Sequence, residues 1–433
     1  MALTLGISCT ALLAMLVCIL FFPRIRFGRM KVDTYWVAVL FGALCMILFR
    51  QVDLPGLWKA LTGPGAVNPL KILVLFLSMT MLSIFLDEVG FFGYLASRVM
   101  NLAGHGQMPL FVALYVAVSV LTVFTSNDIV VLTFTPFIYF FAKDANINPR
   151  PYLVAEFVAA NTMSMTLLIG NPTNIYIASS YGIRFLDYAK VMVLPTLASS
   201  VVAFVLLLLL FRKSLKKPVK VEVEKVRVEN KAYLIIGLVV LGICTVLLAV
   251  GSYIGLDMWL VSLASALVLF LLVGLVSIVQ KRKPLELGAT LKRAPWELAP
   301  FLLSMFVLIF ALSGHGITEW IGEHIGQENT VWKYGIISFL SANILNNIPM
   351  SVLFCPVIGT VGPAGASGAL YATVIGSNLG AYLTPVGALA GIMWMSMLKE
   401  HDVRFTYLDF LKYGAAVSIP TLLTALGVLS LVL

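Results

Sequence analysis

The chain of 433 residues is 60% apolar and only 11% charged, with a mean hydropathy of +1.00. Soluble domains carry about 25% charged residues, so a water-soluble enzyme and a disordered chain are both excluded. The net charge of +9 is read by position: basic residues in such a chain mark cytoplasmic loops and anionic headgroups, and no nucleic-acid partner is expected.

About 20 apolar residues cross the hydrocarbon core as a helix. The first run, Met1–Phe22, has no charge and precedes Arg24, Arg26, Arg29 and Lys31. A signal peptide carries its basic residues ahead of the apolar run, so a retained span is expected. Crossings follow near Thr34–Phe49 and Leu70–Leu86. The apolar stretch near 108–142 is split by polar residues and reads as a re-entrant hairpin. An interrupted crossing over 152–182 and a crossing at Asp187–Phe211 complete a first unit, 1–211. Residues 212–231 form a basic linker whose V-K-V-E-V-E-K-V-R-V alternation admits a short strand but better suits a solvated loop at the headgroups. A second unit, 232–433, holds crossings at Ala232–Gly251, Met258–Val279, Glu297–Leu312 and Phe410–Leu433. It also holds a hairpin near 333–360 and an interrupted crossing over 369–398.

Charge supports two hairpins and ten crossings. With the N-terminus outside, the cytoplasmic segments 23–31, 87–107, 143–151, 212–231, 280–296 and 399–412 contain 23 of the 29 Lys and Arg. That is the bias the positive-inside rule demands, and it places both termini outside an inner (cell) membrane. The two units also match in order. Leu77, Ser78, Met79 and Gly90 recur as Leu303, Ser304, Met305 and Gly316, and Asp33 and Val37 as Asp257 and Val261. Asn127, Phe134 and Pro136 recur as Asn347, Phe354 and Pro356, and Ile169, Gly170 and Tyr176 as Ile375, Gly376 and Tyr382. The expected fold is an all-α polytopic membrane protein: an inverted repeat of five transmembrane helices plus one re-entrant hairpin per half, with broken helices at the midplane. Transporters of this build bind substrate where the discontinuous helices meet.

Four polar clusters interrupt the apolar runs: Thr125–Asp128, Gly170–Asn174, Asn346–Pro349, and Gly376–Gly380 followed by Thr384–Pro385. A broken helix survives in lipid only where it lines a protein cavity. Gly and Pro permit the break, and short Asn, Ser and Thr side chains cap the half-helices. One such cluster is as readily a capped structural bend as a site; four in matching positions favour a site. The candidate substrate-binding residues are Ser126, Asn127, Asn171, Thr173, Asn174, Asn346, Asn347, Ser377, Asn378 and Thr384. Asp128, a carboxylate within the apolar depth, is the sharpest candidate for ion or proton coupling. Its alternative is an N-cap of the returning half-helix. Glu156 is a second coupling candidate, or else snorkels to the cytoplasmic face. Asp87 and Glu88 suit a solvated or hairpin-bracing role, and His315 and His324 an acidic outer loop. The five cysteines lie in apolar runs with no C-x-x-C spacing and read as small buried hydrophobes. Neither a metal site nor a cofactor is expected.

The segments D-E-V-G-F-F at 87–92, S-N-D at 126–128, K-R-A-P-W-E at 292–297, L-N-N-I-P-M at 345–350 and I-G-S-N-L-G…T-P-V-G at 375–387 resemble the arsenical pump membrane protein family of the ion transporter superfamily. The resemblance covers nearly the whole chain from Asp33. It implies an antiporter that expels arsenite or antimonite in exchange for protons, with Asn127, Asp128, Asn346, Asn347, Ser377 and Asn378 carried over into the site. Asn378 stands where arsenite pumps tend to have Asp, which shifts proton coupling onto Asp128. The G-N-P-T-N run at 170–174 looks more like the anion transporters of the superfamily. The alternative reading is therefore a sodium- or proton-coupled carrier of a small anion, such as a di- or tricarboxylate or sulfate. A homodimer and an associated ATPase subunit are both compatible with the sequence. An intramembrane enzyme lacks support, having no metal-ligand spacing and no nucleophile–base set.

Overall fold

The computed structural model describes every residue except 23, 28–29, 64–67, 103–105, 217–227 and 252. The same series of ten helices occurs twice. The first series is α1 (Ala2–Phe21), α2 (Thr34–Leu48), α3 (Leu54–Thr62), α4 (Pro69–Glu88), α5 (Phe91–Leu102), α6 (Gln107–Phe124), α7 (Asn127–Asp144), α8 (Arg150–Met163), α9 (Pro172–Ser180) and α10 (Phe185–Leu215). The second is α11 (Lys231–Gly251), α12 (Met258–Val279), α13 (Leu285–Arg293), α14 (Leu298–Gly314), α15 (Ile317–Ile325), α16 (Thr330–Leu345), α17 (Asn347–Gly359), α18 (Pro363–Gly380), α19 (Leu389–Glu400) and α20 (Tyr407–Val432). Among the described residues, eight helices are long and apolar enough to cross a membrane. Seven of them are expected crossings, and the eighth is α6, the first arm of the first hairpin.

The helix boundaries follow from local chemistry. Asn68 accepts from the backbone N–H groups of Leu70 and Lys71 at 3.0 and 3.1 Å, and Pro69 opens α4. Asp53 caps α3 through Gly56 N–H, and Thr406 with Asp409 forms a capping box on α20. Such caps satisfy donors that helix starts leave orphaned, worth about 1 kcal/mol each.

Both hairpins return to the level they left. Tyr152, near the start of α8, donates its hydroxyl to Gln107 at the first turn of α6, 3.1 Å away. In the second series Gly368, in the first turns of α18, lies so close to Thr330 at the start of α16 that a Cβ there would be 2.7 Å from the Thr330 hydroxyl. Pro136 and Pro356 lie at matching places within α7 and α17. The packing also corresponds between the series. Helix α2 packs on α14 as α12 packs on α4, and α7 packs on α19 as α17 packs on α9. The second half of each broken helix, α9 or α19, thus seats against the hairpin of the other series.

Three local expectations are corrected. Segment 23–31, expected as a loop, includes strand β1 (Arg24–Phe27), which pairs antiparallel with β2 (Met30–Asp33). The basic linker begins later than expected, because α10 runs on to Leu215; its V-K-V-E alternation falls mostly outside the described residues. The fourth break is displaced as well. Gly376, Ser377 and Asn378 are helical within α18, and the interruption comes at Ala381–Ala388 around a 3₁₀ turn, Pro385–Gly387. The glycines of G-S-N-L-G serve close packing instead. A Cβ on Gly376 would stand 2.6 Å from the Gly335 carbonyl and 2.7 Å from Phe339 N, and one on Gly380 2.9 Å from Phe339 O. This small-residue face, continued by Ala372, lets α18 approach α16 backbone to backbone.

The match between Gly170 and Gly376 is corrected accordingly. Gly170 ends the first 3₁₀ turn (Leu168–Gly170), and its structural counterpart is Gly387, which ends the second.

Candidate substrate site

The predicted site residues fall into three groups, which the fold keeps distinct. The first is a closed knot of amides. Asn171 caps α9, accepting from the N–H and hydroxyl of Thr173 at 3.1 and 3.0 Å. Its Nδ2 donates to Asn378 Oδ1 at 3.1 Å, which also accepts from Ser164 Oγ at 2.8 Å. Asn378 Nδ2 donates to Asn174 Oδ1 at 2.7 Å and to Val374 O at 2.8 Å, while Asn174 Nδ2 returns to Ser164 O at 2.9 Å. Asn378 therefore uses three bonds to join the break between α8 and α9 to α18. Every member is buried, and in a water-free site each missing bond carries a desolvation penalty.

The second group surrounds the tip of hairpin two. Asn346 has φ of +76°, a conformation that side-chain-bearing residues rarely adopt. It is held there by donating Nδ2 to Val386 O at 2.9 Å and by capping α17 through Ile348 N–H. Thr384 donates both its N–H and its hydroxyl to Asn343 Oδ1, at 3.0 and 2.7 Å. Ser377 lies 3.4 Å from Ser351, whose hydroxyl bonds the Asn347 carbonyl at 2.8 Å. Asn347 itself is buried at the start of α17.

The third group is the tip of hairpin one, and it is open. Ser126 and Asp128 line a cavity of about 280 Å³, together with Thr80, Tyr35, Glu297, Arg293 and Ile348 of the other hairpin's tip. Asp128 makes no hydrogen bond or ion pair among the described residues. Ser126 precedes α7 but makes no side-chain cap, and the Asp128 carboxylate faces the cavity instead of capping. Arg293 brings no free cation here. It pairs with Asp87 at 2.7 Å and with Glu88, and Asp87 also accepts from Thr133 of α7 at 2.9 Å. Asp87 thus braces the hairpin, as its place in the sequence suggests.

Two neighbours alter the picture drawn from sequence. Asn127 donates to Asn161 Oδ1 at 3.1 Å, and its own Oδ1 is buried with no hydrogen-bond partner among the described residues. Asn161, missed in the sequence, is recoverable from the corrected repeat: it precedes Gly170 by the same nine residues that separate Asn378 from Gly387. Glu156 does not snorkel. It is 0% exposed, with both carboxylate oxygens 3.1 Å from the Thr135 hydroxyl of hairpin one. The helix that carries it, α8, packs on both α7 and α10.

Two helix hairpins and two interrupted helices inside an apolar helical shell, with Ser126 and Asp128 lining a largely apolar cavity at the tip of one hairpin, define a membrane transporter. The chain belongs to the citrate transporter family CitMHS, whose profile matches residues 10–376. It is similar to the arsenical pump membrane protein of Escherichia coli K12, with 26% identity over 92% of this chain and 93% of that one. The arsenical pump membrane protein of Yersinia enterocolitica is 25% identical over the same shares. A 46 kDa membrane protein of Mycobacterium leprae is 24% identical over 81% of this chain and 83% of its own. In fold the chain is similar to the YdaH transporter of Alcanivorax borkumensis, at a TM-score of 0.57 and 14% identity, covering 99% of this chain and 97% of that one.

Proposed function

We propose that the protein expels arsenite or antimonite in exchange for protons, binding its cargo at the cavity between the hairpin tips. The observation that carries this reading is the charge of that cavity. The carboxylate of Asp128 faces it without a partner among the described residues, and Arg293 is neutralised by Asp87 and Glu88. An anion entering there meets a like charge, whereas arsenous acid is uncharged near neutral pH and offers three hydroxyls to Ser126 and the neighbouring polar groups. The arsenical pumps among its relatives support the same cargo.

Asp128 serves as the proton carrier in this reading, since an intramembrane carboxylate beside a cargo site links its protonation to cargo occupancy. Asn127, Asn346, Asn347, Ser377 and Thr384 hold the tips in place. Asn171, Thr173, Asn174 and Asn378 lock the broken helices together, and Glu156 fixes hairpin one to α8. The two series lie inverted in an inner membrane with both termini outside, and the hairpins and broken helices move as one unit in alternating access.

The test is transport by everted vesicles. Arsenite accumulation driven by an imposed proton gradient and indifferent to sodium supports the reading. Sodium-dependent uptake of a di- or tricarboxylate, with no arsenite movement, replaces it by carriage of a small anion.

A further inference from the structure

The cavity that Asp128 faces has a smaller mate. The first cavity runs along α4 past Phe76, Thr80 and Ile84. On the other side of Phe76, one turn back along α4, a second cavity is bounded by Ile72, Leu302, Thr173, Tyr176 and Ser351. Its volume is about 10 Å³, against about 280 Å³ for the first. That leaves room for about one water molecule and none for a cargo. Phe76 and Ile348 line both cavities and are buried, so they form the shared wall.

The two linings correspond under the internal repeat. The match of Leu77 to Leu303 pairs Ile72 with Leu298 and Phe76 with Leu302; Ile72 and Leu302 line the small cavity, Leu298 and Phe76 the large one. The match of Asn127 to Asn347 pairs Asp128 with Ile348 and Leu132 with Val352, again one member in each lining. The match of Gly170 to Gly387 does the same for Pro172 with Leu389 and Tyr176 with Met393. A cavity among α4, α7, α14 and α19 is thus repeated among α14, α17, α4 and α9, open in one place and collapsed in the other. Packed interfaces have discrete alternative arrangements, and halves of like build can exchange them. Such an exchange opens the small cavity as it closes the large one.

The linings differ in their chemistry. Ile348 stands in the place of Asp128, and among the described residues no charged side chain lines the small cavity. Its polar groups are hydroxyls. Thr173 donates to Asn171 Oδ1 and Ser351 to the Asn347 carbonyl, so both oxygens keep lone pairs that can accept. Tyr176 supplies a phenol where Met393 offers a thioether.

We propose that the collapsed cavity is a second cargo chamber, which opens on the opposite face of the membrane and takes an uncharged polyhydroxyl solute on the hydroxyls of Thr173, Tyr176 and Ser351. Phe76 and Ile348 are the partition between the chambers. This assignment rests on the alternating access and the neutral cargo proposed above.

The test does not depend on what is transported. Leu132→Cys and Val352→Cys, matched positions of the two chambers, are each made in the full chain. Right-side-out and everted vesicles are treated with a membrane-impermeant cationic methanethiosulfonate. Mass spectrometry of the modified peptide separates the new thiol from the five native cysteines. Leu132→Cys is expected to react from one face and Val352→Cys from the other. With the state that opens the small chamber populated at about 0.1–10%, Val352→Cys reacts about 10- to 1,000-fold more slowly than Leu132→Cys. Reaction of both thiols from the same face, or of Val352→Cys from neither, overturns the proposal. Opposite-face labelling in vesicles that move no arsenite upholds the chamber and removes only its cargo. Arsenite movement with same-face labelling removes the chamber alone. Should Val352→Cys fail to fold, Ser351→Cys in the same lining decides.

Discussion

Asn161 and Asn378 occupy the same place in the two helix series. Each stands nine residues before the glycine that closes a 3₁₀ turn, and each donates its amide to the carbonyl four residues earlier at 2.8 Å. Their partners differ. Asn161 receives Asn127 from hairpin one, whereas Asn378 gathers Ser164, Asn171 and Asn174 from the facing break.

That difference orders their importance to stability. Asn378→Ala strands several buried groups and is expected to cost about 3–5 kcal/mol, against about 1–3 kcal/mol for Asn161→Ala. Thermal unfolding in detergent measures both, and an equal drop in the two variants contradicts the hub role of Asn378.

The tip of hairpin two stores backbone strain at Asn346. Asn346→Ala keeps the unfavourable φ and loses the Val386 bond and the cap, so a loss of about 1–3 kcal/mol is expected. Asn346→Gly removes the same bonds but relieves the φ penalty. The glycine variant is therefore the more stable of the two, which paired unfolding curves will show.

Close approach of α16 and α18 rests on Gly376. Gly376→Ala drives a methyl into the Ser338 hydroxyl and the Gly335 carbonyl, both on a backbone that cannot retreat. Overpacking of this kind costs about 1–3 kcal/mol or more, and the yield of monodisperse protein should fall sharply. Gly274→Ala in α12, where a Cβ meets nothing within 4 Å, should leave the yield unchanged.

Arg293 holds α4 and hairpin one through Asp87. Arg293→Gln leaves two carboxylates side by side and should slow transport while destabilising the fold by only about 1 kcal/mol, since the guanidinium is partly exposed and screened. Adding Asp87→Asn should restore part of the lost rate. If the double variant is slower than Arg293→Gln, the pair is not the brace.

Much of this was legible in the sequence because lipid leaves few options for backbone polar groups. The turns at Ser126 and Asn346 fall where polar clusters split the apolar runs, between α6 and α7 and between α16 and α17. The second break was not legible at G-S-N-L-G, because glycine serves close helix packing as readily as helix termination. Asn161 escaped notice because a lone amide in a continuous helix carries no break signal. Glu156 sits near the start of α8, and its burial there is a tertiary fact that position along the chain does not encode. The β1–β2 ribbon is a four-pair element too short for its alternation to stand out.

The central claim is that Asp128 carries the proton which its cargo exchanges for. Vesicles loaded with arsenite and incubated with labelled arsenite separate exchange from accumulation. With Asp128→Asn, labelled arsenite should still exchange across the membrane, because the cavity keeps its shape and hydroxyl partners, while accumulation against a gradient driven by protons disappears. Accumulation at the wild-type level in Asp128→Asn contradicts the account.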